Sequence, residues 1–463
     1  MPEKQIVPNK SPLRVETLEE DLLDREPYIR ALEDYLIIEH DFTDGSLVVS
    51  INAKFGSGKS TLLKMWENDL RDRASNGEAA PLVINLNAWD SDFYGEPLIP
   101  IVSELVDAVT NHLPDGDKKA KGLKEAARDA AWFMVGLANS AVPLDALAAA
   151  EFAEKKKLER EDENITAKPD LLSDYQNRRD AMKQLKYLLK AVLGADQPKA
   201  FVFIDELDRC RPDYAISYLE TIKHIFDMHG IVFVLAIDYD HLANSARALY
   251  GAQLDFPEYF RKFVHRSFEM PEPKVEKVQG FAKALTDYYL HNNKTRYTKL
   301  NLRDYRGKIT ELITATEMSP RQSIEFFRLL GHASGAKELI KKTDYHGRGI
   351  GMMLMCAFKV SKRNIYEALG RGEAPHEEVL LIFEKLIRQS LNYWWFAIYV
   401  AGFKHKNGAY ELLKKYNLLE KEDETREQVT RKIQEIAFQC WGDNIYGGRY
   451  PQFYKQIEAI ELK

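Results

Sequence analysis

The chain is poor in cysteine. Cys210, Cys356 and Cys440 are the only three in 463 residues, far apart and with no C-x-x-C pair among them. That excludes a disulfide framework and a cysteine-based zinc site, and suits a reducing cytosol. There is no basic excess either: 65 Lys and Arg stand against 71 Asp and Glu, a net charge of -6. A protein that lives on the phosphate backbone carries a basic balance, so general nucleic-acid binding is not favoured, while a local basic groove stays open. No apolar run reaches the roughly 20 residues that a bilayer-crossing helix needs. Of the two nearest, 130–150 is interrupted by Asn139, Ser140, Pro143 and Asp145, and 393–403 has about half the required length. The start, Met1-Pro2-Glu3-Lys4-Gln5, lacks the apolar core of a secretory signal. Internal repeats and low-complexity tracts are missing as well. What remains is a globular profile, 45% hydrophobic and 29% charged, with length enough for about three domains.

Four short apolar runs punctuate the first 240 residues: Ser46–Ile51, Leu82–Leu86, Ala200–Ile204 and Ile231–Ile237. They are continuous rather than alternating, as strands buried on both faces are, and the stretches between them, such as Tyr214–His229, have helical spacing. Phe263–Met270 is a fifth candidate strand. Together they predict an α/β fold, a doubly wound parallel sheet. A helix is expected from Glu19, with Leu22, Leu23, Ile29, Leu32, Leu36 and Ile37 in register. About a hundred residues separate the second and third runs, more than a crossover needs, so a helical insertion is expected there. Its charge run Glu154-Lys155-Lys156-Lys157 reads as a solvated face, with a mobile stretch over 159–169. Beyond Pro271 only helical patterns occur. Gly347-Arg348-Gly349-Ile350-Gly351 reads as a flexible turn, Cys210 as a buried small residue, and Tyr393-Trp394-Trp395-Phe396 as core.

Chemistry concentrates at Ala53-Lys54-Phe55-Gly56-Ser57-Gly58-Lys59-Ser60-Thr61, which follows a strand and opens a helix. Glycines there let successive N–H groups point into one concavity, and the helix N-terminus adds a positive dipole. Lys59 is expected to reach the β- and γ-phosphates and Ser60 to hold Mg²⁺. Asp205-Glu206, at the end of the third buried run, supplies a second set: Asp205 for Mg²⁺, Glu206 to orient and polarise water. The competing reading is a turn with solvated carboxylates. Asp208 and Arg209 are expected to pair locally or to touch another subunit. Asp238, after the fourth run, stands either beside the γ-phosphate or as a plain helix cap. In Ser319-Pro320-Arg321 the serine caps, the proline fits a first turn and Arg321 projects towards nucleotide phosphate or solvent. Arg261, Lys262 and Arg266 offer an arginine finger across a subunit boundary, against the plainer reading of a solvated face.

These motifs resemble the KAP family of P-loop NTPases. The resemblance runs through Asp21-Leu22-Leu23-Asp24-Arg25, the Phe55–Ser60 loop, Asn87-Ala88-Trp89, Ile204–Cys210, Phe233–Asp238 and Ser319-Pro320-Arg321. It implies kinship with AAA+ and STAND switch ATPases, an extra strand between the two nucleotide motifs, ATP and Mg²⁺ as cofactors, and roles in bacterial phage exclusion and signalling scaffolds. The family often carries transmembrane helices where 130–150 lies here. Ala53 replaces the family's usual glycine, Phe55 its tryptophan and Glu206 its frequent aspartate.

The expectation is thus an ATP-hydrolysing switch or assembly scaffold in antiviral defence, cytoplasmic, homo-oligomeric, and working with an effector protein encoded nearby. A non-hydrolysing scaffold at or near the inner face of the membrane is the alternative. A small-acceptor kinase lacks a visible acceptor pocket, and a nucleic-acid motor is disfavoured by the acidic balance. The expected domains are an N-terminal arm (1–18), a P-loop core (19–270, insertion about 105–195), a lid-like helical region (271–345) and a helical C-terminal domain (346–463).

Overall fold

The computed structural model describes residues 14–114, 117–135, 171–193, 200–225, 228–292, 305–335, 346–390, 394–403, 408–441 and 449–461. The charge run at 154–157, the stretch 159–169, most of 130–150 and most of the N-terminal arm lie outside them. Contacts divide the chain into two units. One is Glu26–Phe55 with Lys59–Pro271; the other is Met1–Arg25, Gly56–Gly58 and Glu272–Lys463.

The first unit is built on five strands: β1 (Leu47–Asn52), β2 (Leu82–Asn87), β3 (Ala200–Asp205), β4 (Ile231–Ile237) and β5 (Arg266–Glu269). All pair in parallel, in the order β2-β3-β4-β1-β5. β4 therefore lies between β1, which leads into the glycine loop, and β3, which ends in the acidic pair. Burial follows position. Every residue of central β4 is buried, whereas the edge strands β2 and β5 expose residues. Continuous apolar sequence is what a strand covered on both faces requires.

The helices of this unit are α1 (Glu26–Asp41), α2 (Lys59–Ser75), α3 (Ala88–Asp92), α4 (Leu98–Asn111), α5 (Lys118–Val135), α6 (Leu171–Leu193), α7 (Pro212–Ile225), α8 (Tyr239–Tyr250) and α9 (Phe256–Phe260). In α2, Leu62, Leu63, Met65, Trp66 and Leu70 are buried, a helical repeat of apolar positions. Trp66 is fully buried; its ring packs on Phe201 and Phe203 of β3, with centroids 5.7 and 4.9 Å away. Its indole N–H donates to Glu33 of α1, whose carboxylate also accepts from Arg73 at 2.7 Å. A buried donor and a buried carboxylate thus satisfy each other, tying α1 to α2.

From Glu272 onward the described secondary structure of the second unit is helical: α10 (Val275–Asn292), α11 (Arg306–Ala315), α12 (Pro320–Gly335), α13 (His346–Ser361), α14 (Arg363–Arg371), α15 (His376–Ser390), α16 (Trp394–Ala401), α17 (Ala409–Lys415), α18 (Arg426–Trp441) and α19 (Tyr450–Glu461). One apolar cluster joins residues from Leu23 and Phe281 to Ile457. Trp395 and Phe396 belong to it, as expected of core.

Two local expectations are corrected. Residues 347–351 are not a turn; they open α13. Ile350 and Met352 to Phe358 are buried there, and that burial outweighs the roughly 1 kcal/mol each glycine costs a helix. Nor does a helix run from Glu19. A single turn at Leu18–Glu20 gives way to irregular chain before α1 starts at Glu26. The Asp21 carboxylate draws in the N–H groups of Leu23 (3.2 Å) and Arg25 (2.7 Å), and Asp24 takes the left-handed φ of 61°. A side chain that captures backbone donors in this way competes with the helix ladder.

Candidate functional site

The glycine loop leaves the C-terminal end of β1, where the strand pairing is carried to its limit. Ala53 N–H donates to Ile237 O at 3.0 Å, and Asn52 Oδ1 accepts from Tyr239 N–H at 2.9 Å. Gly56 and Gly58 have φ of 81° and 100°, left-handed values that side-chain-bearing residues adopt at a cost. α2 then begins at Lys59, with its unpaired N–H groups and positive dipole end facing the loop. Ser57 Oγ is buried without a hydrogen-bond partner, a group that an incoming oxygen would satisfy.

Lys59 is buried, and its Nζ turns back to donate to Ala53 O at 2.7 Å. Asp208 stands 3.7 Å away as its charge partner. Asp208 and Arg209 therefore do not pair with each other. Arg209 instead meets Glu206, Nη2 to Oε1 at 2.8 Å. The reason is local backbone: Glu206 has a φ of 62° and heads a short 3-10 turn, Leu207–Arg209, which points successive side chains to different sides. A residue with a side chain at positive φ is costly, and such positions gather at functional sites.

A groove of about 680 Å³ opens beside the sheet. Ser60, Lys64, Asn87, Glu104, Asp205 and Glu206 are among its lining residues. It brings the hydroxyl at the start of α2 together with the acidic pair that ends β3. Asp205 Oδ1 accepts from the Glu206 N–H at 2.9 Å. Asn87, at the end of β2, caps α3 by accepting from Trp89 N–H at 3.0 Å, and its amide donates to Glu206 Oε2 at 3.4 Å. Asp238 is the helix cap that one reading expected, and it also holds the loop backbone. Oδ1 caps α8 by accepting from His241 N–H (3.4 Å), and Oδ2 accepts from Phe55 N–H (3.1 Å), fixing the entry of the loop.

Further contacts reach the Gly56–Gly58 segment within its own unit. Arg25 Nη1 donates to Gly58 O at 3.1 Å, while Asp21 grips the same guanidinium through Nε (3.1 Å) and Nη2 (2.8 Å). Burial alone would raise the Asp21 carboxyl, but the Arg25 hydrogen bonds and charge outweigh it and hold the group below its ordinary value. Ser319 and Gln322 form a reciprocal capping box at the start of α12. A Cβ on Gly56 would lie 3.1 Å from Arg321 Cβ and 3.3 Å from Ser319 Oγ, so Arg321 abuts the loop.

The remaining expected residues lie elsewhere or add little. Thr61 sits in the first turn of α2. Arg261 is exposed at the C-terminus of α9, and Arg266 pairs with Glu39 at 2.6 Å; neither lines the groove. Cys210 is buried, and burial pushes its thiol up to about 12, the value of an inert packing residue. Sequence reasoning attached no role to Arg25 or Asn87. Both stood in quoted motifs, but their partners lie 33 and 119 positions away, beyond any local pattern.

The family model for the KAP family P-loop domain matches residues 25–333. Two solved structures of the Aeropyrum pernix ORC2 protein are similar to the chain. Its ADPNP-ADP complexes are 12% identical, covering 95% of each chain at a TM-score of 0.32. Its ADP form is 13% identical, covering 94% of this chain and 96% of that one, also at 0.32. No curated protein matches the chain.

Proposed function

The chain belongs to the KAP family of P-loop NTPases, and from that premise we propose that it is an ATP-binding, ATP-hydrolysing switch. The observation that carries the reading is the groove that unites Ser60, Asp205 and Glu206. The residues present fit a triphosphate: two left-handed glycines, an unsatisfied buried Ser57 hydroxyl and a helix N-terminus stand in succession. They also fit Mg²⁺, a hard cation that takes oxygen ligands, with Ser60 and Asp205 as the residues that would hold it. Bound there, the ion would neutralise charge on phosphate oxygens.

The chain's own groups supply the rest. The loop from Phe55 through Thr61 cradles the phosphates, with Asp238 holding its entry. Lys59 exchanges its bond to Ala53 O for phosphate oxygen and stabilises charge at the transferred group. Glu206 orients the attacking water. Arg321 is assigned to nucleotide phosphate on its place against Gly56, and Arg261 to the nucleotide of a neighbouring copy. A second reading, binding without turnover by a scaffold at or near a membrane, is favoured by one observation: Glu206, although it lines the groove, already accepts from Arg209 and Asn87.

Steady-state phosphate release separates the two. Lys59→Ala is expected to abolish nucleotide binding, and Glu206→Gln to retain ATP without turnover. Full hydrolysis by Glu206→Gln would overturn the assigned base, and no hydrolysis by the parent under any condition would favour the scaffold. Family membership supports a setting in bacterial antiviral defence, in the cytoplasm, as a homo-oligomer with an effector encoded nearby. Among the described residues no helix is long and apolar enough to cross a membrane. Co-purification from the native host, read against neighbouring genes, tests that setting; recovery with unrelated housekeeping partners alone would contradict it. The domain scheme proposed with it is a P-loop core over 19–270, a lid-like region over 271–345 and a C-terminal domain over 346–463.

A further inference from the structure

The two edges of the sheet are built differently. β5 has 4 residues and carries Arg266 and Glu269, a short, charged edge of the kind that resists another strand. β2, Leu82–Asn87, has 6 residues with no proline and no charge. The direction of its backbone groups follows from the ladder. Ala200 N–H donates to Gly230 O at 3.2 Å, so Ala200 turns towards β4. Alternate residues of a parallel strand bond to opposite neighbours, so Phe201 and Phe203 turn towards β2. They stand in register with Val83 and Asn85, which leaves the N–H and C=O of those two residues pointing away from β3. Among the described residues β2 pairs with β3 alone, and no other group hydrogen-bonds the outward backbone of Val83 and Asn85.

The groove of about 680 Å³ follows this edge, with Val83 to Asn87 all in its lining. Two helices wall it. α2 contributes Lys64 and Arg71, both engaged by the buried Glu67 at 2.9 and 2.6 Å. α4 contributes Glu104 and Asp107, both exposed and, at i and i+3, on one face of the helix. Among the described residues neither carboxylate has a hydrogen bond or an ion pair. The α2 wall has its charges engaged, while the α4 wall presents negative charge with no counterpart.

We propose that this edge accepts one more strand, an extended segment of a partner protein with lysine or arginine at every second residue. Its backbone pairs with Val83 and Asn85, and its basic side chains meet Glu104 and Asp107. Alternate side chains of a strand share one face at a spacing of about 6.6 Å, close to the roughly 5–6 Å between β-carbons at i and i+3 of a helix. Main-chain bonds supply the affinity and the charged wall selects the partner. Binding here needs no nucleotide, so the edge is tested apart from the glycine loop.

The test titrates the full chain, without nucleotide, into fluorescent peptides of the length of β2, read by anisotropy. One alternates lysine with threonine, and a second has glutamate for lysine. Two more are the lysine peptide N-methylated on alternate amides, in one phase or the other. The lysine peptide is expected to bind saturably and about tenfold more tightly than the glutamate peptide, the scale of two exposed ion pairs. Glu104→Lys/Asp107→Lys is expected to reverse that order with the unfolding midpoint unchanged. Methylation in one phase is expected to abolish binding and in the other to leave it within about threefold, because only one row of amides faces β2. No saturable binding, methylated peptides that behave alike, or an unchanged order of preference in the folded double variant overturns the strand site. Self-association of the chain that Asn85→Pro abolishes, by loss of an outward N–H, gives the edge to a second copy and overturns the partner proposed.

Discussion

Removing Arg25 should open the chain around the glycine loop far more than removing an ordinary surface arginine. Asp21 and Arg25 are 2% and 6% exposed. The Asp21 carboxylate accepts from two backbone N–H groups and from the Arg25 guanidinium, and Arg25 donates a further N–H to Gly58 O. With so little solvent on either side chain, screening does not dilute the pair. Arg25→Ala takes the guanidinium from a buried carboxylate and one donor from Gly58 O, a loss of about 3–5 kcal/mol. Asp21→Ala strands the guanidinium at similar cost. The double variant removes both charges, so its cost should fall about 1.5 kcal/mol or more below the sum of the singles. Hydrogen–deuterium exchange over residues 18–28 and 54–62 reads this locally, without requiring the whole chain to unfold in one step. Each single variant should raise opening by about a hundredfold or more, since 1.4 kcal/mol is tenfold. The depressed Asp21 carboxyl adds a pH signature. Its contribution is present above the ordinary value of 3.8 and is lost as pH falls below it. Exchange in Arg25→Ala within about threefold of the parent would refute the reasoning.

Trp66→Ala should cost about 3–5 kcal/mol, because a fully buried ring leaves a cavity against Phe201 and Phe203; a chemical denaturation midpoint within error of the parent would contradict this. His40 is fully buried, its Nε2 accepts from Gly230 N–H at 3.0 Å, and its ring lies 4.1 Å from that of His229. Burial, then the neighbouring His229 charge, lowers its pKa despite Asp41. A depressed histidine stabilises the fold above its ordinary value and loses that contribution as pH falls through about 6.5. Stability should therefore decline from pH 7 towards 5 more steeply in the parent than in His40→Gln, and parallel profiles would refute it. Gly58→Ala combines a φ of 100° with a Cβ placed 2.8 Å from Arg25 Nη1; Mg²⁺-ATP affinity should drop at least about tenfold by calorimetry, strain of that kind being about 1–3 kcal/mol.

The sheet could be read from sequence because its central strands obey one rule. β1, β3 and β4 are covered on both faces, and their runs are apolar apart from Ser50 and the polar residues Asn52 and Asp205 that end β1 and β3. β5, at an edge and largely exposed, carries Arg266, Ser267 and Glu269, so only its neighbours Phe263 and Val264 hinted at it. The glycine loop and the acidic pair were legible because their chemistry demands residue types at fixed spacing. The features that escaped were set by tertiary contact. Asp21 breaks a helix that the spacing of Leu22 and Leu23 would continue. Asp208 meets Lys59 and not its neighbour Arg209, because Glu206 takes a left-handed turn. The glycines at 347–351 join a helix because the core of their unit buries Met352 to Phe358 immediately after them. None of these outcomes can be inferred from the residue alone; each needs the partner that the fold brings to it.

Calorimetric titration of the purified parent and of Lys59→Ala with Mg²⁺-ATP tests the central claim most directly. Saturable binding near one nucleotide per chain in the parent, with no heat of binding in Lys59→Ala, is the expected result. A flat titration of the folded parent, or equal binding by the two proteins, would contradict the assignment of this loop to a triphosphate.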